Sequence, residues 1–401
     1  MPKFASIGAI LLAVTALTPL RAASPPDASH VHRRALVIDA HADVLSPIDH
    51  PGRLGTIDAG TQIDLAKLRS GGVDVIFLSV HAPQQPRTAE GLATSRAVAD
   101  AKLAAIRAIA EKHPNEAGFA RTAADIPRIT ASGRVAIVAS MLNASPLGTD
   151  PRALADYAAR GISIIGFTHA GNNDFADSSR PFGQDKIGEN GGLSPLGRAT
   201  VAEANRLGLL LDVSQLSTPA LLQTVQLSKA PVIASHSGVR AKVDTPRNLS
   251  DAELDAVARA GGAVCIVSYS AYLRAFTEEE QAPTKALLAR FGGLKNGYEG
   301  LTPEQKDAFY RELEQVSPRA SLDDYIDSID YATKRIGIDH VCLSTDFNHG
   351  FAAVQGWTDE GEAPNVTAAL LRRGYDEKAI DKLWGGNVLR VLAQAEAVRA
   401  R

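Results

Sequence analysis

Eight short apolar runs rich in β-branched residues recur along the chain, most followed by helical periodicity, and this alternation limits the fold more than any other feature. The runs cover 35–40, 73–80, 135–141, 162–167, 209–213, 232–235, 263–268 and 340–344. A strand that is apolar on both faces must be covered on both faces, which is the situation in a parallel sheet flanked by helices. Between the runs the helix signals are explicit. The stretch 89–113 is long and Ala-rich, and Ser194-Pro195 and Thr218-Pro219 each read as an N-cap before a first-turn proline. Ser250-Asp251-Ala252-Glu253 is a capping box opening a helix that stops at Gly261-Gly262. Eight strands with helical crossovers predict an α/β fold, a (β/α)8 TIM-type barrel. A doubly wound open sheet has the same alternation and is the structural alternative. Only 268–321 breaks the rhythm. It is charged, strandless and carries the capped start Thr302-Pro303-Glu304-Gln305, which predicts a helical insertion after the seventh strand. Such an insertion would serve as a lid or dimer arm over the C-terminal face, or be a solvated decoration.

Composition excludes several classes. Lys and Arg number 42 against 45 Asp and Glu, so no basic surface for nucleic acid is expected. The apolar run 7–17 after Lys3 has the length of a signal-peptide core and is too short to span a bilayer. We therefore expect residues 1–23 to be a signal peptide, cleaved near Ala22 or Ala23, with 24–32 a polar leader and 24–401 one exported, periplasmic domain. No later run has membrane length, so no membrane anchor is expected in the mature chain. Cys265 and Cys342 lie inside apolar runs and read as small core hydrophobes, which excludes a disulfide scaffold and a Cys-based zinc site.

In a barrel, catalytic groups sit where strands end. The first run ends in Asp39-Ala40-His41-Ala42-Asp43, where His41 and Asp43 fall on one side of a strand and can grip one ion. The fourth ends in Thr168-His169, the sixth in Ser235-His236-Ser237 and the eighth in Ser344-Thr345-Asp346. Three of the ten histidines thus fall at strand ends, a clustering that favours a metal-dependent hydrolase. His32, His50, His113 and His340 read as surface or structural residues. His81 and His349 lie near strand ends without further support.

These pieces resemble the membrane (renal) dipeptidase family of zinc peptidases, M19, within the amidohydrolase superfamily. The resemblance rests on Ile38 to Asp43, Gly166 to Asn172, Ala176-Asp177-Ser178, Gly192 to Gly197 and Asp212 to Ser217. It continues through Pro231 to Ser237, Arg247-Asn248-Leu249, Asp346-Phe347 and Gly385-Gly386-Asn387, in family order over nearly the whole chain. The resemblance implies dipeptide hydrolysis at a two-metal centre, with His41 and Asp43 on one metal and His236 on the other. It further implies Asp346 as the base that handles the water proton, and His169 as the group that polarises the scissile carbonyl. Arg247 would pair with the substrate carboxylate, Tyr269 would shape the site, and homodimers would follow by analogy.

Two positions depart from the family. Where its bridging glutamate belongs, this chain reads Leu142 or Asn143, and where its fifth-strand histidine belongs it has Gln215. Neutral Asn143 and Gln215 are expected to contact water or substrate instead of metal. The expectation is one bound zinc, with a second ion doubtful, and a small peptide substrate with a free carboxylate. A non-catalytic descendant binding a peptide or amino acid is the alternative, and an ester or lactone hydrolase differs from the first only in substrate.

Overall fold

The apolar runs assemble as the staves of one parallel barrel. The computed structural model describes residues 27–44, 61–292, 301–348 and 353–399. Its strands are β1 (Ile38–Asp43), β2 (Val75–Val80), β3 (Ala117–Ala120), β4 (Val135–Met141), β5 (Ile162–Gly166), β6 (Leu210–Asp212), β7 (Ile233–Ser237), β8 (Ala263–Val267) and β9 (Val341–Ser344). They pair in parallel in the order β1-β2-β4-β5-β6-β7-β8-β9. Asp43 N–H donates to Phe347 O and Asp346 N–H to His41 O, both at 2.9 Å, which joins the segment after β9 back to β1. All eight predicted strands are present in a (β/α)8 barrel, which removes the open-sheet alternative. The ninth, β3, runs beside β4 outside that ring. Its four residues, Ala-Gly-Phe-Ala, carry too little hydrophobic pattern to read as a strand in sequence.

Strand alternation divides the core in two. Ile38, Val75, Phe77, Ala136, Val138, Ile164, Leu210 and Ile233 form one cluster, plugged by Val388, Val391 and Leu392 of the helix Asn387–Ala397. The alternate residues, such as Ile76, Leu78, Ile137, Ile165, Leu211 and Val264, pack in the other cluster with the surrounding helices. Register slips interrupt β1 between Asp39 and Ala42 and β7 between Ala234 and Ser237. In β1 the slip changes the phase: Ile38 and Ala40 belong to one cluster, Ala42 and Val44 to the other. His41 and Asp43 therefore emerge on the side that Ile38 and Ala40 occupy below them, and a bulge commonly re-aims side chains in this way.

Three local readings change. From Asp27 onward the expected leader is structured: Ala28–Arg34 is helical, capped by Asp27, with Val31 and His32 buried. The cap of helix Thr218–Leu227 is Ser217, whose hydroxyl accepts from Ala220 N–H, so Thr218 is already inside the first turn. Cys265 and Cys342, read as separate core hydrophobes, are joined in a disulfide. They lie 77 residues apart in sequence but face one another in register on β8 and β9, a proximity that only the strand pairing supplies.

The insertion after β8, the seventh staff of the barrel, is helical over Ser270–Leu273, Glu278–Arg290 and Pro303–Val316, with capping boxes at Thr277 and Thr302. Leu287, Phe309 and Leu313 give it a small core of its own. The expected signal peptide, His50 and His349 lie outside the described residues. No described helix is long and apolar enough to cross a membrane.

Candidate active site

The C-terminal strand ends bring His41, His236 and Asp346 together, with one ligating atom from each lying within 4.8 Å of the others. His41 Nε2 is 3.6 Å from Asp346 Oδ1 and 3.8 Å from Asp43 Oδ1. These separations are too long for hydrogen bonds. They suit atoms that share one tetrahedral ion, whose ligands at about 2.0–2.2 Å stand roughly 3.3–3.6 Å from each other. His41 Nε2 is buried without a hydrogen-bond partner, which fits a nitrogen reserved for a ligand. Asp346 is held at φ 60°, a left-handed conformation rare for a residue with a side chain. Asp39 supports both ends, accepting from His41 N–H, Thr345 N–H and the Thr345 hydroxyl.

His236 stacks on His41, ring centroids 3.7 Å apart and 13° from parallel. Its tautomer follows from its partners. The single proton of the Ser235 hydroxyl goes to Asp212 Oδ2 at 2.5 Å, so that hydroxyl accepts from His236 Nδ1, 2.7 Å away. Nε2 is left with its lone pair. That lone pair receives the Gln215 amide nitrogen at 3.0 Å. Burial, reinforced by His41 and nearby arginines, holds His236 well below the ordinary imidazole range.

Gln215 is fixed from its other end. Arg180 Nη2 donates to Gln215 Oε1 at 3.1 Å and lies 3.2 Å from His169 Nε2. A guanidinium can only donate, so His169 Nε2 is the acceptor of that contact and is not free to donate towards a carbonyl. His169 also lies against His81, ring centroids 4.2 Å apart, so His81 does reach the site.

Arg247 is buried. Its Nη1 donates to Ser214 O and Ser237 Oγ, and its Nη2 to His236 O. Nε has no partner, so the Nε edge of the guanidinium keeps donors for a ligand. Tyr272 lies beneath it, 5.3 Å from guanidinium carbon to ring centroid, and half-buried Tyr269 packs on Tyr272 at 4.5 Å. Tyr269 thus reaches this side of the site through Tyr272.

Asn143 does not join the site as expected. Its amide nitrogen donates to Ala82 O and Gln84 Oε1, and its oxygen accepts from Ser145 N–H and Asn173 Nδ2. All of its hydrogen-bonding capacity is used in tying loops together, so its amide has no spare bond to offer a substrate. Gln215 holds its amide between Arg180 and His236, bonds that use one of its two N–H donors and one of its two oxygen lone pairs. Sequence reasoning missed Arg180 and Tyr272, because neither ends a strand. His32 is structural as expected, bonded to Thr367 Oγ1 and Gly71 O, each at 2.7 Å.

Comparison with known proteins agrees with this architecture. The family description "Membrane dipeptidase (Peptidase family M19)" matches residues 26–401. The crystal structure of the probable dipeptidase PvdM from Pseudomonas aeruginosa superposes with a TM-score of 0.81 at 39% identity, covering 92% of this chain and 98% of that one. Dipeptidase tcpJ of Claviceps purpurea is 28% identical over 86% of this chain and 72% of its own length. Dipeptidase verJ of Clonostachys rogersoniana is 29% identical over 84% and 76%. The chain belongs to the membrane dipeptidase family, peptidase family M19.

Proposed function

We propose that the protein is an exported hydrolase of dipeptides and similar small peptides with a free C-terminal carboxylate, working with one divalent ion, zinc by preference. The observation that carries this reading is the convergence of His41, His236 and Asp346, one ligating atom of each within 4.8 Å of the others, with Asp43 Oδ1 3.8 Å from His41 Nε2. His41 and Asp43 would hold the ion, helped by Asp346, with His236 beside them. A divalent ion in such a site supplies Lewis acidity and brings the pKa of water towards neutrality.

The remaining work falls to the chain. The Asp346 carboxylate takes the proton of the attacking water and passes it to the leaving amine nitrogen as the C–N bond breaks. The Nε edge of Arg247 receives the substrate carboxylate through paired hydrogen bonds, which fixes the C-terminal residue. Tyr272 and Tyr269 form the wall behind that carboxylate. Thr345 and Asp39 keep His41 and Asp346 in place. Export is supported by the Cys265–Cys342 disulfide, since such bonds persist in oxidising compartments.

A second reading, a non-catalytic binder of a peptide or amino acid, is favoured by the Gln215 amide that covers His236. Zinc analysis of the purified chain beside a dipeptide hydrolysis screen tests both. Metal-dependent cleavage supports the hydrolase. A metal-free chain that binds peptides without cleaving them, and in which His41→Ala binds like the parent, supports the binder.

A further inference from the structure

We propose that the guanidinium of Arg180 occupies the functional place of the second metal ion. This rests on the one-ion hydrolase reading above and adds what replaces the missing cation. The site retains the family's His236 but has Leu142 or Asn143 for the bridging acid and Gln215 for the other histidine. A dication left with one strong ligand has no reason to bind there.

Arg180 lies against the residues that would otherwise face that ion. Its Nη2 bonds Gln215 Oε1 and contacts His169 Nε2, at 3.1 and 3.2 Å. Because arginine cannot accept, it fixes the orientation of the Gln215 amide and turns the nitrogen to His236 Nε2. The lone pair that would bind a second ion is thereby covered by a donor. The backbone of Arg180 is itself anchored, its N–H to Ser178 Oγ at 3.0 Å and its carbonyl to Gly171 N–H at 2.8 Å. No acidic side chain among the described residues pairs with its charge. Its Nε is shielded from solvent without a hydrogen-bond partner. A half-buried cationic donor with an unpartnered Nε beside a catalytic centre is poised for an anionic or carbonyl oxygen.

The geometry gives Arg180 the electrophilic task otherwise assigned to His169. As the water oxygen bonds to the carbonyl carbon and its proton passes to Asp346, negative charge gathers on the carbonyl oxygen. Arg180 meets that charge with hydrogen bonds and remains protonated throughout. The proton on Asp346 then goes to the amine as the C–N bond breaks, and the carbonyl re-forms.

Zinc stoichiometry of the full-length protein, after dialysis against excess zinc, tests the replacement. The parent should hold one ion, and Leu142→Glu/Gln215→His should still hold one because Arg180 remains. Adding Arg180→Leu to that pair should admit a second ion, visible with Co2+ as a coupled two-metal spectrum. Arg180→Leu alone should keep one ion and lose kcat by about 10²–10³-fold, as removal of an oxyanion donor does, with KM changed far less. If the double variant binds two ions with Arg180 present, or Arg180→Leu alone leaves kcat intact, Arg180 is not the replacement and the one-ion hydrolase stands. A parent that binds two ions overturns the replacement outright. A parent that binds none overturns the hydrolase reading and this proposal together.

Discussion

His41 and Asp346 are joined twice: Asp346 N–H donates to His41 O at 2.9 Å, and Asp346 Oδ1 stands 3.6 Å from His41 Nε2. The first contact belongs to barrel closure and the second to the candidate metal site. Forming the fold and forming the site are therefore one event at this seam. It also accounts for the left-handed backbone of Asp346, which the closure of β9 on β1 holds in place.

Asp346→Asn keeps the shape and the backbone bond while removing the base. Turnover should fall by at least about 10²-fold, as loss of a general base does, while the fold survives. The acidic limb should disappear from the pH–rate profile of any residual activity. Zinc analysis of the same sample separates roles. Full zinc with no turnover marks Asp346 as the base, and loss of zinc marks it first as a ligand.

Arg247→Ala should raise KM for free dipeptides by an amount corresponding to about 2–5 kcal/mol, the cost of losing a buried charge-assisted pair. Dipeptide amides, which lack the carboxylate, should change much less. Equal losses on the two substrate types would assign Arg247 to architecture, through its bonds to Ser214 O and His236 O.

The sequence was most legible where a strand end carries its own chemistry. His41, Asp43, His236 and Asp346 each follow an apolar run, and the barrel gathers such ends by construction. Arg180 lies thirteen residues beyond Phe167, in the loop after β5, and only the tertiary path of that loop returns it to Gln215. Asn143 shows the opposite failure. It sits in the right place in the chain, yet its amide is claimed by Ala82, Ser145 and Asn173, partners that no local pattern announces. The disulfide was hidden for a similar reason, since the β8–β9 register, and not the spacing of the cysteines, brings them face to face.

The disulfide should matter for stability. A crosslink closing a loop of 77 residues restricts the unfolded chain by up to about 4 kcal/mol. Cys265→Ala/Cys342→Ala, or the parent under strong reductant, should unfold at clearly lower denaturant concentration. Coincident unfolding curves for the oxidised and reduced protein would remove the bond's stabilising role, and with it this support for an oxidising compartment.

Glu360 offers a test of the buried acids beneath the site. It is fully buried beside Asp39, and burial with the neighbouring carboxyl pushes it well above the ordinary carboxyl range, while Asp39 rises to about 6. The folded chain thus holds these protons more tightly than the unfolded chain. The resulting stabilisation is complete below the unfolded value, near 4.3 for Glu, and is lost as pH rises through the folded values. Glu360→Gln, which cannot ionise and can donate to Asp39, should flatten the fall in thermal stability between pH 5 and 8. An unchanged slope would mean that Glu360 does not hold its proton in the folded state.

The most direct test is a titration of activity with metal. Exhaustive chelation should abolish hydrolysis of a dipeptide, and returning zinc should restore it linearly up to one equivalent per chain, with no further rise at two. Activity that survives chelation, or recovery that reaches its plateau only at two equivalents, would contradict a single-ion hydrolase built on His41, Asp43 and Asp346.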